Sequence, residues 1–307
     1  MRKAFVKTLV EMADIDERIL LLTGDIGYSA LEPFADKFPE RFLNVGVAEQ
    51  NMVGLATGMA EGGYIPFVYS IATFCTMRPY EFIRNGPILH NLPVRIVGVG
   101  GGFEYGHAGA THHALEDVGI MRTQPGITVI VPADHIQTRS ALLAGRGIPG
   151  PIYYRLGKDD QTTIPGLNGR FELEKPQLIN DGNDLLIIAM GGVSSEAVAA
   201  AESLKNRGIN STVMIIASVK PISSEALADI FMRFKVVLTV EGHYTTGGIG
   251  SLVSEVIAEY GLGCKVVRCG IKKMKGGKSG SQNFLRHIHG ISADKLVTSA
   301  INALNLP

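Results

Sequence analysis

Apolar runs rich in β-branched residues recur through the first half of the chain: ILLLTG (19–24), IPFVYS (65–70), VRIVGVG (94–100), ITVIVP (127–132) and PIYYRL (151–156). Continuous rather than alternating hydrophobicity predicts strands of a parallel sheet covered on both faces. Between the runs, AEQNMVGLATGMAEGG, TFCTMRPYEFIRNG, HALEDVGIMRTQPG and DHIQTRSALLAGRG carry helical spacing, with stops at Gly62 and Gly63, at Gly86, at Pro125 and Gly126, and at Gly145. The alternation predicts an α/β domain over 1–160. Residues 161–176 (QTTIPGLNGRFELEKP) have neither period and hold Pro165, Gly166, Gly169 and Pro176, so they read as a linker. From there DLLIIAMG, VSSEAVAAAESLKNRG, NSTVMIIA, SSEALADIFMRF, KVVLTVEG, GSLVSEVIAEYG and KVVRCG repeat the alternation, predicting a second α/β domain over 177–307.

The 307 residues suit two domains, each with a mostly parallel sheet flanked by helices. Lys and Arg total 29, as do Asp and Glu, so no basic excess exists to neutralise a nucleic acid. No run approaches the ~18 apolar residues of a membrane span. The opening MRKAFVKTLVEMADIDER has acids where a signal peptide would be apolar, so a soluble, cytoplasmic protein with no membrane partner is expected. Cys75, Cys264 and Cys269 show no CxxC spacing, which suits a reducing compartment. The 37 glycines are scattered through short turns, as in α/β proteins that bind phosphorylated ligands.

Chemistry concentrates in three segments. In NVGVAEQNMVGLATGMAEGG (44–63), Glu49 opens a helix of Gly and Ala, a crowded apolar surround that favours a protonated carboxyl. The alternative is an acid complementing the helix macrodipole. So many small residues predict a close-packed neighbour. In YGHAGATHHALEDVGIMR (105–122), His107, His112 and His113 crowd together, but adjacent histidines diverge on a helix and no metal-ligand spacing arises. Thr111 or His112 can instead cap the helix before ALED. In PIYYRLGKDD (151–160), Arg155 and Lys158 stand at the carboxyl end of a strand, where open parallel sheets bind ligands and paired cations suit a phosphate; a solvated turn is the alternative. Glycines 247, 248 and 250 precede a helix but lack the Walker lysine and GxGxxG spacing.

The Glu49 segment, Phe74 in IATFCTMR and the THH at 111–113 together resemble the thiamine-diphosphate enzymes of the transketolase family. The resemblance covers that family's pyrimidine-binding and C-terminal domains nearly end to end. Its diphosphate-binding domain, with a GDG motif and a following Asn-Asn, has no counterpart: GDIG (24–27) and NDGND (180–184) do not fit. The resemblance therefore implies the small subunit of a split transketolase. A partner chain would carry the GDG and Asn-Asn motifs and hold Mg2+, the assembly would be α2β2, and no metal ligands lie here. The implied reaction moves a two-carbon ketol unit from a ketose phosphate to an aldose.

In that reading Glu49 hydrogen-bonds N1′ of the aminopyrimidine and activates the cofactor, and Phe74 stacks on the same ring. His112 contacts the donor's carbonyl and hydroxyl oxygens, and His107, Arg155 and Lys158 join the sugar-phosphate site. Lys158 falls on a phosphate-gripping arginine, and Arg155 on a basic position of the deoxyxylulose-phosphate synthase branch. His113 stands where the family has Gln. Ala108 and Gly100 replace an Asp and a His that read the substrate, which implies a wider or differently shaped pocket and a sugar other than the usual pentose phosphate. Glu241 and His243 read as structural or interface groups. A 2-oxo acid dehydrogenase β subunit, a deoxyxylulose-phosphate-synthase-like enzyme and a non-catalytic scaffold remain alternatives. GATHHALEDVGIMR favours the transketolase branch, and joint retention of Glu49, Phe74 and His112 favours an active site.

Overall fold

The structure is a computed structural model that describes residues 1–274 and 277–305. Its strands are β1 (Ile19–Thr23), β2 (Phe42–Asn44), β3 (Ile65–Ile71), β4 (Arg95–Val99), β5 (Thr128–Ile130), β6 (Ile152–Leu156), β7 (Gln177–Leu178), β8 (Leu185–Ala189), β9 (Ser211–Ile215), β10 (Ser218–Lys220), β11 (Val236–Tyr244) and β12 (Lys265–Ile271). They form two sheets, ordered β10-β5-β6-β4-β3-β1-β2 and β12-β11-β8-β9-β7. All neighbours are parallel except β10 on β5 and β7 on β9. The fold is two α/β units with helix-flanked sheets. Strands β1, β4, β6 and β8 are buried at every position, which is why β1 and β8 are continuously apolar and why β4 and β6 break that pattern only at the buried Arg95 and Arg155 and the tyrosines of β6.

Three local expectations change. The helix expected over TFCTMRPYEFIRNG is broken at Pro79 into Ala72–Met77 and Tyr80–Ile83, and then widens into a π turn over Arg84–Ile88 that runs past Gly86. The helix expected from His113 begins only at Asp117, because Ala114 pairs with Gly102 in an isolated bridge; neither Thr111 nor His112 caps it. Strand β10 follows β9 by only a few residues, yet it forms the antiparallel edge of the first sheet, with Ser218 opposite Ile130. Residues 161–176 hold no helix or regular strand, although Ile164 and Leu167 are buried. The helix Arg2–Ala13, not marked in the sequence reading, buries Phe5, Val6, Leu9 and Met12 on one face. Among the described residues no helix is long and apolar enough to cross a membrane.

A buried polar knot near the end of β11 joins the two units. His243 accepts the Gly119 N–H at 3.0 Å through Nε2 and donates from Nδ1 to the Tyr244 carbonyl at 2.7 Å. Burial pushes its pKa down, in keeping with the neutral imidazole that those two contacts require. Glu241 is fully buried; its Oε1 accepts the Gly250 N–H at 3.1 Å, and its Oε2 has no hydrogen-bond partner among the described residues. Desolvation outweighs the N–H groups of Gly250 and Ile249 and the charges of Arg155 and Arg122, and lifts the carboxyl from 4.5 to about 7. The folded state therefore holds this proton more tightly than the unfolded chain does, so stability falls as pH rises through that window. Glu241→Gln should remove that slope. In urea unfolding, the stability difference between wild type and variant is expected to change by up to about 3 kcal/mol between roughly pH 4.5 and pH 7; parallel profiles would refute the assignment.

Candidate active site

Glu49 begins the helix Glu49–Glu61 and is only 2% exposed. Its Oε1 accepts the hydroxyl of Ser70, near the end of β3, at 3.1 Å, and its Oε2 pairs with Arg78 Nη1 at 2.7 Å. The expected apolar surround is thus corrected, since both carboxyl oxygens have polar partners. Phe74, half-buried, lies one helical turn before Arg78, whose guanidinium sits 4.0 Å from the ring centroid. His112 meets Phe74 edge-on at 5.1 Å. Residues far apart in sequence are brought to one place at the carboxyl end of the first sheet, where open parallel sheets bind ligands. On the outer face of the Glu49 helix Gly54 and Gly58 are exposed; among the described residues a Cβ at Gly58 would meet open space, and one at Gly54 would only touch Phe82.

His112 closes the short 3-10 turn Ala110–His112, with Nδ1 3.0 Å from the Thr111 hydroxyl. His113 turns inward against Phe103 at 5.1 Å, with Nε2 3.5 Å from the Gly106 carbonyl; burial lowers its pKa, and it packs the loop. His107 is exposed on the same loop. Lys158 is half-buried, its Nζ 4.2 Å from the Tyr105 ring centroid and 3.4 Å from the Glu104 carbonyl. Among the described residues no group of three His, Cys, Asp or Glu side chains could hold a metal ion.

Two expectations about the sugar site are corrected. Arg155 is not available to a phosphate. It is 5% exposed, its Nε pairs with Asp117 Oδ2 at 2.7 Å, and its Nη2 reaches the carbonyls of Ala114 at 2.8 Å and Gly242 at 2.9 Å. Tyr153 donates to the same carboxylate at 2.6 Å. Strand alternation turns Arg155 inward between the units, where the buried charges of Asp117 and Arg155 compensate each other. Holding Ala114, it braces the loop that carries His112. The second correction is at Gly100, where the pocket is not widened but differently shaped: the backbone takes φ +80°, and a Cβ would run into the Tyr105 ring.

Reading the sequence missed Arg78, Ser70, Asp117 and Tyr105. Arg78 was legible, because a residue four places after Phe74 shares its helix face. Ser70 carried a weaker signal, the lone polar residue of IPFVYS. The partners of Asp117 and Tyr105 depend on loop geometry that no periodicity encodes. A buried carboxyl beside a hydroxyl, a guanidinium, a half-buried phenyl and an imidazole combines hydrogen-bonding groups with a flat apolar surface. That set fits the aminopyrimidine end of thiamine diphosphate.

Residues 1–161 match the family model of the transketolase pyrimidine-binding domain, and residues 174–296 that of the transketolase C-terminal domain. The chain belongs to the transketolase family. A transketolase C-terminal section from Methanocaldococcus jannaschii is 38% identical over 300 residues, covering 96% of this chain and 93% of that one. The 6-deoxy-6-sulfo-D-fructose transketolase subunit of a Clostridium species is 35% identical over 303 residues, 98% of this chain and 93% of that one. A solved split-gene transketolase, in an inactive β4 tetramer, superposes with a TM-score of 0.88 at 35% identity, covering 99% of this chain and 98% of that one. This transketolase-family chain thus matches, along nearly its whole length, relatives that are themselves sections or subunits, and its family implies dependence on thiamine diphosphate.

Proposed function

We propose that this chain is the pyrimidine-binding subunit of a thiamine-diphosphate-dependent transketolase, transferring a two-carbon ketol unit from a ketose phosphate to an aldose. The observation that carries the reading is the convergence of Glu49, Phe74 and His112 with Ser70 and Arg78. When bound, thiamine diphosphate supplies a nucleophilic carbon able to break and form carbon–carbon bonds beside a carbonyl. Glu49 would hold a proton at a carboxyl oxygen and share it with N1′ of the ring, with Ser70 and Arg78 fixing the carboxyl's orientation. Phe74 would provide a flat apolar face. His112 would hydrogen-bond the substrate carbonyl oxygen and stabilise negative charge developing there. Lys158 would attract the sugar's phosphate as a point charge.

The diphosphate and Mg2+ then fall to an N-terminal partner subunit with the GDG and Asn-Asn motifs, in an α2β2 assembly. Support comes from the bare outer face of the Glu49 helix, where Gly54 and Gly58 lie open beside exposed Leu55 and Phe82. Such a face admits a closely approaching partner helix. The test is to assay ketol transfer with cofactor and Mg2+ for this chain alone and after mixing with the N-terminal subunit. The chain alone should show no turnover and the mixture should be active. Full activity of the chain alone would overturn the split-subunit reading.

A further inference from the structure

Between His112 and Lys158 lies a group that the reading above leaves without a task. The Tyr105 ring centroid is 6.4 Å from that of His112 and 4.2 Å from Lys158 Nζ, and His112 in turn meets Phe74 at 5.1 Å. The row therefore runs from an aromatic face through an imidazole and a phenol to an ammonium. Gly100 prepares the seat of the phenol, because at φ +80° and without a Cβ it lets the ring lie against its backbone. Among the described residues the Tyr105 hydroxyl has no hydrogen-bond partner. Desolvation raises its pKa, so the group remains an O–H donor at neutral pH. Ala108, exposed on the same loop, offers only a methyl group.

We propose that Tyr105 is a specificity-determining residue whose hydroxyl hydrogen-bonds the substrate hydroxyl adjacent to the reacting carbonyl, with His112 facing the carbonyl oxygen and Lys158 the phosphate. The inference rests on the ketol-transfer reading and narrows its substrates to 2-hydroxylated carbonyl compounds bearing a terminal phosphate. A site built to pair with a hydroxyl discriminates against an analogue lacking it, because its own polar group is then left unpaired.

The test uses the assembled enzyme with cofactor and Mg2+, a ketose phosphate that it cleaves as the fixed ketol donor, and two aldehyde acceptors, glyceraldehyde 3-phosphate and its 2-deoxy analogue 3-oxopropyl phosphate. Tyr105→Phe keeps the ring on Gly100 and beneath Lys158 while removing only the hydroxyl. It should lower kcat/KM for the hydroxylated acceptor about tenfold and leave the deoxy acceptor within about twofold, collapsing the preference of the wild type. Equal losses on both acceptors, or an unchanged preference, would overturn the assignment while leaving ketol transfer intact. If the wild-type assembly transfers to neither aldehyde, the ketol-transfer reading falls and this inference falls with it.

Discussion

Glu49→Gln is expected to abolish most of the enzyme's ability to activate its cofactor while leaving the protein assembled. Gln preserves the side chain's volume, can accept from Arg78 through its amide oxygen while its NH2 donates to the Ser70 hydroxyl, and can still contact N1′, so folding, association and cofactor affinity should change little. An amide cannot share a carboxyl proton. Removing a positioned acid typically costs about 10²–10⁴-fold, and hydrogen–deuterium exchange at the cofactor's C2 position should slow by that order in the assembled variant. Exchange read by quench and NMR needs no sugar, so the result does not depend on which substrate is correct. A wild-type rate in the Gln variant would show that Glu49 serves only the helix terminus.

Arg155→Leu should be the most damaging single change to the fold. Leu cannot neutralise Asp117, which stays 1% exposed with only the Tyr153 hydroxyl and its own helix terminus to stabilise it. Breaking one side of a buried ion pair costs about 3–5 kcal/mol, which urea denaturation of the isolated chain would register as a lower midpoint. Arg155→Lys should recover only part of this loss, since an ammonium lacks the fork that holds Asp117, Ala114 and Gly242 together. Arg155→Met combined with Asp117→Leu should be milder than Arg155→Leu alone, because no unpaired charge remains. A Leu variant as stable as wild type, with only a raised KM for the phosphorylated substrate, would return Arg155 to the sugar site.

The long buried strands were legible because a strand covered on both faces must be apolar throughout, as ILLLT of β1 and LLIIA of β8 are. The edge strands β2, β7 and β10, with two or three residues each, offer too short a window for any period. The helix Arg2–Ala13 did carry a pattern, in Phe5, Val6, Leu9 and Met12, but the stretch was weighed only as a possible signal peptide. At the site, Glu49, Phe74 and His112 were readable as motif positions, and the structure links them through Arg78, which pairs with Glu49 and lies against the Phe74 ring, and through the edge contact of Phe74 with His112. Arg155 misled because its neighbourhood in sequence, a strand end with Lys158 nearby, says nothing of which face the side chain takes or of a carboxylate 38 positions earlier. Gly100 misled in the same way, since the residue that occupies its vacant space comes from the following loop.

The antiparallel docking of β10 against β5 has a consequence for how the protein can be made. While the ribosome is still producing the second unit, the first sheet has an open flank: the outer hydrogen-bonding groups of β5 wait for residues 218–220. An unpaired strand edge invites pairing with other chains. A fragment ending in the 161–176 segment would keep that flank permanently, and supplying the missing half as a separate polypeptide would make closure of the sheet depend on concentration. The continuity of the chain across the two units is thus part of what completes the first sheet, which also positions the Glu49 carboxyl.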